Sequence, residues 1–227
     1  MLRITETVKH LILINVVMYF GTIILMGDPG VNTSQALMHG QSTELGQWQR
    51  YSLAMFYPGS PFFRPYQIIT HMFMHASMGH IFFNMFALWM FGSALESVWG
   101  PKRFLTFYFI SGIGALGLYL ATKYLEMHYF GAPEYLQNVP MLGASGAVFG
   151  LLAGFGFMFP NSRIVLLIPP IPIKAKYFVL IYGGIELFLG VANISGASGV
   201  AHFAHVGGAL FGFLLLLYWK NKGNLYS

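Results

Sequence analysis

Apolar residues run along this chain in long blocks separated by short polar or Pro/Gly-rich breaks. The blocks cover roughly 10–27, 79–97, 102–122, 143–160, 175–193 and 201–219. A membrane-crossing helix needs about 20 mostly apolar residues, and all six blocks meet or approach that length. The fourth is cut short by Pro160, and the fifth carries an acid, Glu186. The pattern predicts an all-α membrane protein, a polytopic bundle of six transmembrane helices. The first block reads as a span rather than a cleaved signal peptide, because it is long and no small-x-small site follows it. No repeat or low-complexity tail divides the chain, so residues 1–227 are expected to form a single membrane domain.

Composition sharpens this picture. The 227 residues are 56% hydrophobic and only 8% charged, against about 25% charged in a typical soluble domain. That is too little charge to coat a water-facing surface. A net charge of +5 could suit nucleic acid, but the basic residues are scattered at the ends of apolar runs and read as topology signals. With the N-terminus in the cytoplasm, the inner side receives Arg3, Lys9, Lys102, Arg103, Arg163, Lys174, Lys176, Lys220 and Lys222. The outer side receives Arg50, Arg64 and Lys123. This bias puts both termini inside and makes 28–78 a long extracytoplasmic loop. Its "FYPGSPFFRPY" segment has the aromatic content of a loop lying at the membrane interface. The absence of cysteine excludes disulfides, a thiolate nucleophile and cysteine metal sites.

On this topology the unusual polar residues share one shallow depth near the outer face. Ser145 opens the fourth span, His202 and His205 open the sixth, and His80 and Asn84 lie in the first turns of the second. Polar groups in spans are costly and turn toward the bundle interior or a wet cavity. Serine, imidazole and amide at one level can serve as nucleophile, base and oxyanion donor. Each also has a plainer reading: a serine at a close helix contact, an interhelical asparagine hydrogen bond, and His71 and His75 as interfacial residues bonding the loop. Glycines tip the balance. Gly146, Gly150 and Gly154 recur every four residues on the fourth span, as do Gly208 and Gly212 on the sixth. Such small-xxx-small faces permit close approach of helices. If the two faces meet, Ser145 and His205 come together near the outer rim.

Three blocks, "GASG" at 143–146, "HASMGHIFFNM" at 75–85 and "AHVGGALFG" at 204–212, resemble the signature blocks of the rhomboid intramembrane serine proteases, of the bacterial six-span type. The resemblance covers about residues 60–220, with the blocks in the family's order and spans. It implies a role for each matching position. Ser145 would be the nucleophile and His205 the general base. His80 and Asn84, with the Ser145 backbone N–H, would line the oxyanion hole. Gly143, Gly146, Gly208 and Gly212 would be structural motif positions, as would His75 and Glu96. Two departures stand out. Tyr66-Gln67 occupies the place of a Trp-Arg pair in the first loop, and Phe149 replaces a tyrosine that stacks on the base.

The resulting expectation is an intramembrane serine endopeptidase with no cofactor and no metal. It would cleave single-span transmembrane substrates near the outer face of the cell membrane, in a bacterial inner membrane, with a monomer sufficient for catalysis. Membrane lipids are expected as partners, and nucleic acid is not. A non-catalytic rhomboid-like binding or sorting factor is the alternative, although such relatives usually lose the serine or the histidine. A metalloprotease reading of His71 and His75 lacks the glutamate of HExxH. A transporter reading rests on Glu186 alone. Counting about seven residues inward from the outer end of the fifth span puts Glu186 roughly 10 Å deep, below His205. A Ser–His dyad without an acid is therefore expected.

Overall fold

A computed structural model describes residues 3–26, 52–166, 170–192 and 200–223. Most of the first half of the expected extracytoplasmic loop, with Asp28, Glu44 and Arg50, lies outside these residues. The major helices are α1 (Glu6–Met26), the short α2 (Gln67–Thr70), α3 (Met78–Ala87), α4 (Ser93–Tyr129), α5 (Ser145–Met158), α6 (Ala175–Ala192) and α7 (Val200–Asn221). A two-stranded antiparallel ribbon, β1 (Arg163–Val165) and β2 (Pro172–Lys174), links α5 to α6. The protein is an all-α membrane bundle. Among the described residues, four stretches are long and apolar enough to cross a membrane: Glu6–Leu25, Met78–Tyr129, Ala175–Ala192 and His202–Asn221. The shorter Ser145–Met158 is also apolar.

The 52-residue stretch from Met78 to Tyr129 is too long to be one span and folds back at a defined point. Gly100 has φ 74° and ψ 170°, and Pro101 follows it. The positive φ suits glycine because it has no Cβ to clash. Proline then opens the next helical segment, where a missing N–H costs nothing. The "WGPK" sequence thus separates the second and third apolar blocks. Beyond the turn the helix outruns the apolar block and ends at Tyr129, so Lys123 and Glu126 are helical and buried rather than in a solvated loop. The Lys123 ammonium lies 5.8 Å from the centre of the Tyr119 ring. Its value as an outside topology marker is correspondingly reduced.

Helices α4, α5 and α7 form the packed centre, with α6 against α7 and α1 against α4. Fully buried Phe104, Phe107, Tyr108 and Leu151 fill the space between them. Trp219 of α7 meets Trp99 edge to face at 5.6 Å and lies under the Arg103 guanidinium. Outward-facing residues are large and apolar, among them Leu25 on α1 and Leu180 and Phe188 on α6, as lipid contact requires. Lipid solvates these side chains as well as another helix would, so interhelical packing and hydrogen bonding hold the bundle together.

The tightest of these contacts is between α5 and α7. A Cβ added to Gly208 would clash with the carbonyl oxygen of Gly146, and one on Gly150 would come within 3.1 Å of the Gly208 carbonyl oxygen while also striking Ser111 of α4. At Gly212 it would come within 2.9 Å of both Phe107 and Ser111. The neighbour at Gly208 is backbone and cannot swing aside. At the other face of the bundle Glu96 ties α1 to α4. Its carboxylate accepts the Thr5 hydroxyl and the backbone N–H groups of Thr7 and Val8, both at 3.1 Å. These are amides of the first helical turn, which have no partner inside the helix. Gly208→Ala is expected to lower stability by about 3 kcal/mol, the upper end of ordinary overpacking costs. A thermal melt in detergent that matches wild type would contradict this account of the α5–α7 contact.

Candidate active site

The backbone that presents Ser145 is fixed before the helix begins. Met55 and Met141 exchange two backbone hydrogen bonds of 2.8 Å, and the Gly143 N–H donates to the His71 carbonyl at 2.9 Å. Gly143 has φ 125°, a conformation open to glycine. A Cβ here would also lie 2.8 Å from His80 Nε2. Helix α5 then starts at Ser145 with Ala144 as its cap residue. The N–H groups of its first turn have no intrahelical acceptor and carry the positive end of the helix dipole. Ser145 thus combines a hydroxyl with an adjacent backbone donor at the first turn of α5.

His205 approaches from α7. Its Nε2 lies 2.9 Å from Ser145 Oγ. Phe149, one turn into α5, stacks flat on the imidazole at a ring separation of 4.2 Å and an angle of 5°. Tyr182 of α6 stacks on the far side of Phe149 at 5.2 Å. The phenylalanine therefore keeps the stacking that the replaced tyrosine would give. His202 is not at the serine. Its ring centre is 6.5 Å from that of His205.

The donors on α3 face the same opening. His80 Nδ1 accepts the Ala76 N–H at 3.4 Å. In a neutral ring that leaves the proton on Nε2, the atom nearest Gly143. The Asn84 amide spends one N–H on the His80 carbonyl at 2.9 Å and has a second. Ser145, His205, His80 and Asn84 all line one cavity of about 680 Å³, walled by apolar residues of α3, α5, α6 and β1. Among the remaining signature residues, His75 sits edge to face against His80 at 5.0 Å, while Glu96 binds the first turn of α1 and does not line the cavity around Ser145.

One expectation fails. Glu186 does not lie beneath the histidines: its Oε2 is 2.9 Å from His205 Nδ1 and 2.7 Å from His202 Nδ1. Depth counted in residues along one helix ignores the reach of a glutamate side chain and the tilt between helices. The serine–imidazole pair thus has a carboxylate behind it. These three groups also form the cluster of His and acidic donors, all within 4.8 Å, found among the described residues. His71 and His75 belong to no such group there.

Sequence reasoning also missed Gln67. Fully buried, its amide donates to the carbonyls of Ser52 and Phe62 and accepts from the N–H groups of Arg64 and Phe56. It ties the loop together where the Trp-Arg pair would stand. The one signal available was a lone amide amid aromatic residues. His71 is held in the same layer, its Nδ1 donating to the Gln67 carbonyl at 2.8 Å.

A serine–imidazole pair in an apolar helical bundle, with amide and imidazole donors on a neighbouring helix, defines a multi-pass membrane protein of hydrolase-like geometry. The chain belongs to the Rhomboid family: the family model for the rhomboid domain matches residues 63–222. It is 32% identical over 155 residues to Rhomboid protein 1, mitochondrial, of Saccharomyces cerevisiae, covering 65% of this chain and 40% of that protein. It is 27% identical over 215 residues to Rhomboid protease AarA of Providencia stuartii, covering 90% and 69%. With Rhomboid protease GluP of Bacillus subtilis it shares 28% over 149 residues, 65% of this chain and 25% of that one. The match to the yeast protein thus spans about two fifths of its length.

The loop beneath the serine generates a pH prediction. Burial pushes the His71 imidazole down to about 4 and that of His75 down to about 3. Both are neutral when folded, and the unfolded chain binds their protons first. Stability is unaffected above pH 6.5 and falls as pH drops from there toward 4, by about 2 kcal/mol per ring at pH 5. The melting temperature in detergent should hold between pH 8 and 7 and decline below 6.5. A flat profile down to pH 5 would show that these rings are not buried neutral.

Proposed function

We propose that this protein is a serine-type intramembrane endopeptidase that cuts transmembrane-helix substrates near the outer face of the membrane. The observation that carries the reading is the 2.9 Å approach of His205 Nε2 to Ser145 Oγ, inside a rhomboid domain. His205 takes the serine proton as Oγ attacks a peptide carbonyl, forming a tetrahedral intermediate. The developing oxyanion is met by the Ser145 N–H, the free Asn84 N–H and His80 Nε2–H. Collapse of the intermediate passes the proton from His205 to the leaving amine, and water hydrolyses the acyl-enzyme by the same route in reverse.

The substrate has to enter unwound, because a helix hides its carbonyls in its own hydrogen bonds. A segment with small or helix-breaking residues near its outer end suits the apolar cavity leading to the serine. In this reading the chain is one six-span domain with both termini cytoplasmic, in a bacterial inner membrane, its site open to the extracytoplasmic side. A non-catalytic relative that binds and sorts membrane proteins is the alternative. The presence of both members of the hydrogen-bonded pair speaks against it.

Purified protein in proteoliposomes with tagged single-span substrates tests the proposal. Ser145→Ala is expected to fold normally and to lose all cleavage; cleavage at the wild-type rate would refute the serine mechanism. Asn84→Ala and His80→Ala are expected to lower kcat with little change in KM, by up to about 10²–10³ for one lost donor. A defect confined to KM in both variants would remove them from the oxyanion hole.

A further inference from the structure

Among the described residues, Glu186 is the acid that reaches the serine–imidazole pair. It projects from α6, is 6% exposed, and places Oε2 against two rings one turn apart on α7. An ionised carboxylate has no hydrogen to give, so both Nδ1 atoms must donate. A neutral imidazole carries one N–H and one lone pair. With its proton fixed on Nδ1, His205 presents a bare Nε2 to Ser145, as a general base must. Without an acceptor behind Nδ1, the proton is free to sit on Nε2, and the ring would then face the serine as a donor.

We propose that Glu186 is a positioning residue for the reaction: it holds His205 in the Nδ1–H tautomer and stabilises the imidazolium that forms when Nε2 takes the Ser145 proton. The inference rests on the serine-protease reading above. The proton goes from Oγ to Nε2 and later to the leaving amine, while the carboxylate stays ionised throughout. Charge-assisted hydrogen bonds are about twice as strong as neutral ones. Away from water the attraction between carboxylate and imidazolium also grows. His202 contributes by pinning the same oxygen at 2.7 Å, so the carboxylate keeps its place without relying on His205 alone. A carboxylate serving only to tie α6 to α7 would need neither the shared oxygen nor the line Oε2–His205–Ser145.

The test uses the full-length protein in detergent and a dye-linked fluorophosphonate, which reports Ser145 reactivity whatever the natural substrate. Saturation kinetics give the inactivation rate constant, kinact, and the binding constant, KI. Glu186→Gln is expected to lower kinact by about 10²–10⁴. A fall of tenfold or more with KI within threefold of wild type supports the proposal. A smaller fall, or a loss carried by KI, overturns it. If Glu186→Gln does not fold, nitrogen-15 NMR of the histidine-labelled wild-type protein near neutral pH decides. An Nδ1–H tautomer for His205, assigned through His205→Ala, supports the role, and an Nε2–H tautomer overturns it. Ser145→Ala separates the two levels of the argument. Labelling that persists in that variant defeats the serine mechanism itself, whereas labelling lost there but unchanged in Glu186→Gln defeats this inference alone.

Discussion

The contact between Gly146 of α5 and Gly208 of α7 is the constraint on which the site depends. Gly208 lies so close to the Gly146 carbonyl that no side chain fits between them. Ser145 and His205 are 60 residues apart in the chain, and their side chains are short. Only backbones in near contact let a serine hydroxyl reach an imidazole nitrogen across two helices. In lipid, where apolar surface gains little from being hidden, such a contact is held by van der Waals packing over small residues. The glycines of the serine helix lie where α4 and α7 both approach it: a Cβ at Gly146 would strike Ala115 and one at Gly150 would strike Ser111, both on α4, with the Gly208 carbonyl of α7 beside it.

The loop that precedes α3 supplies the second constraint. Gln67 gathers four backbone groups, and the loop it ties is bonded directly to the segment leading into Ser145 through Met55–Met141 and His71–Gly143. A helix N-terminus without such anchors frays, because its first N–H groups have no intrahelical acceptor. Here the chain arrives in one conformation, and the first-turn N–H groups stay aimed at the cavity. The polar groups of the site are thus held by the fold itself, the arrangement that the proposed chemistry requires for stabilising charge without reorganisation.

Polar chemistry is expensive in a bundle with so little charge. A carboxylate inside a span is costly unless partnered, and Glu186 meets that cost with two imidazole donors. Lys123 and Glu126 are also buried near the end of α4, the ammonium 5.8 Å from the centre of the Tyr119 ring. The stacked series Tyr182–Phe149–His205 then fixes the plane of the imidazole, as Glu186 addresses its Nδ1.

Much of this was legible in the chain itself. Apolar block lengths located α1, α6 and α7 to within a few residues because the bilayer sets a length that any span must meet. The gap between the second and third blocks fell at the turn made by Gly100 and Pro101, because backbone sterics at glycine and proline are local. The glycine spacing on two blocks identified the faces able to approach closely. Tertiary structure decided what depends on distances between side chains of different helices. Lys123 looked like a loop charge because hydropathy ends an apolar run where a helix need not end. Gln67 stood out only as a departure from a Trp-Arg pair; its role was hidden because its partners are backbone groups, which carry no sequence signal. Glu186 looked too deep because residue counting along one helix gives a height, whereas a hydrogen bond is set by how helices tilt and how far a side chain extends. The sequence by itself determined a membrane bundle with a serine and an imidazole at one level; only the packed structure decided that a carboxylate stands behind that imidazole.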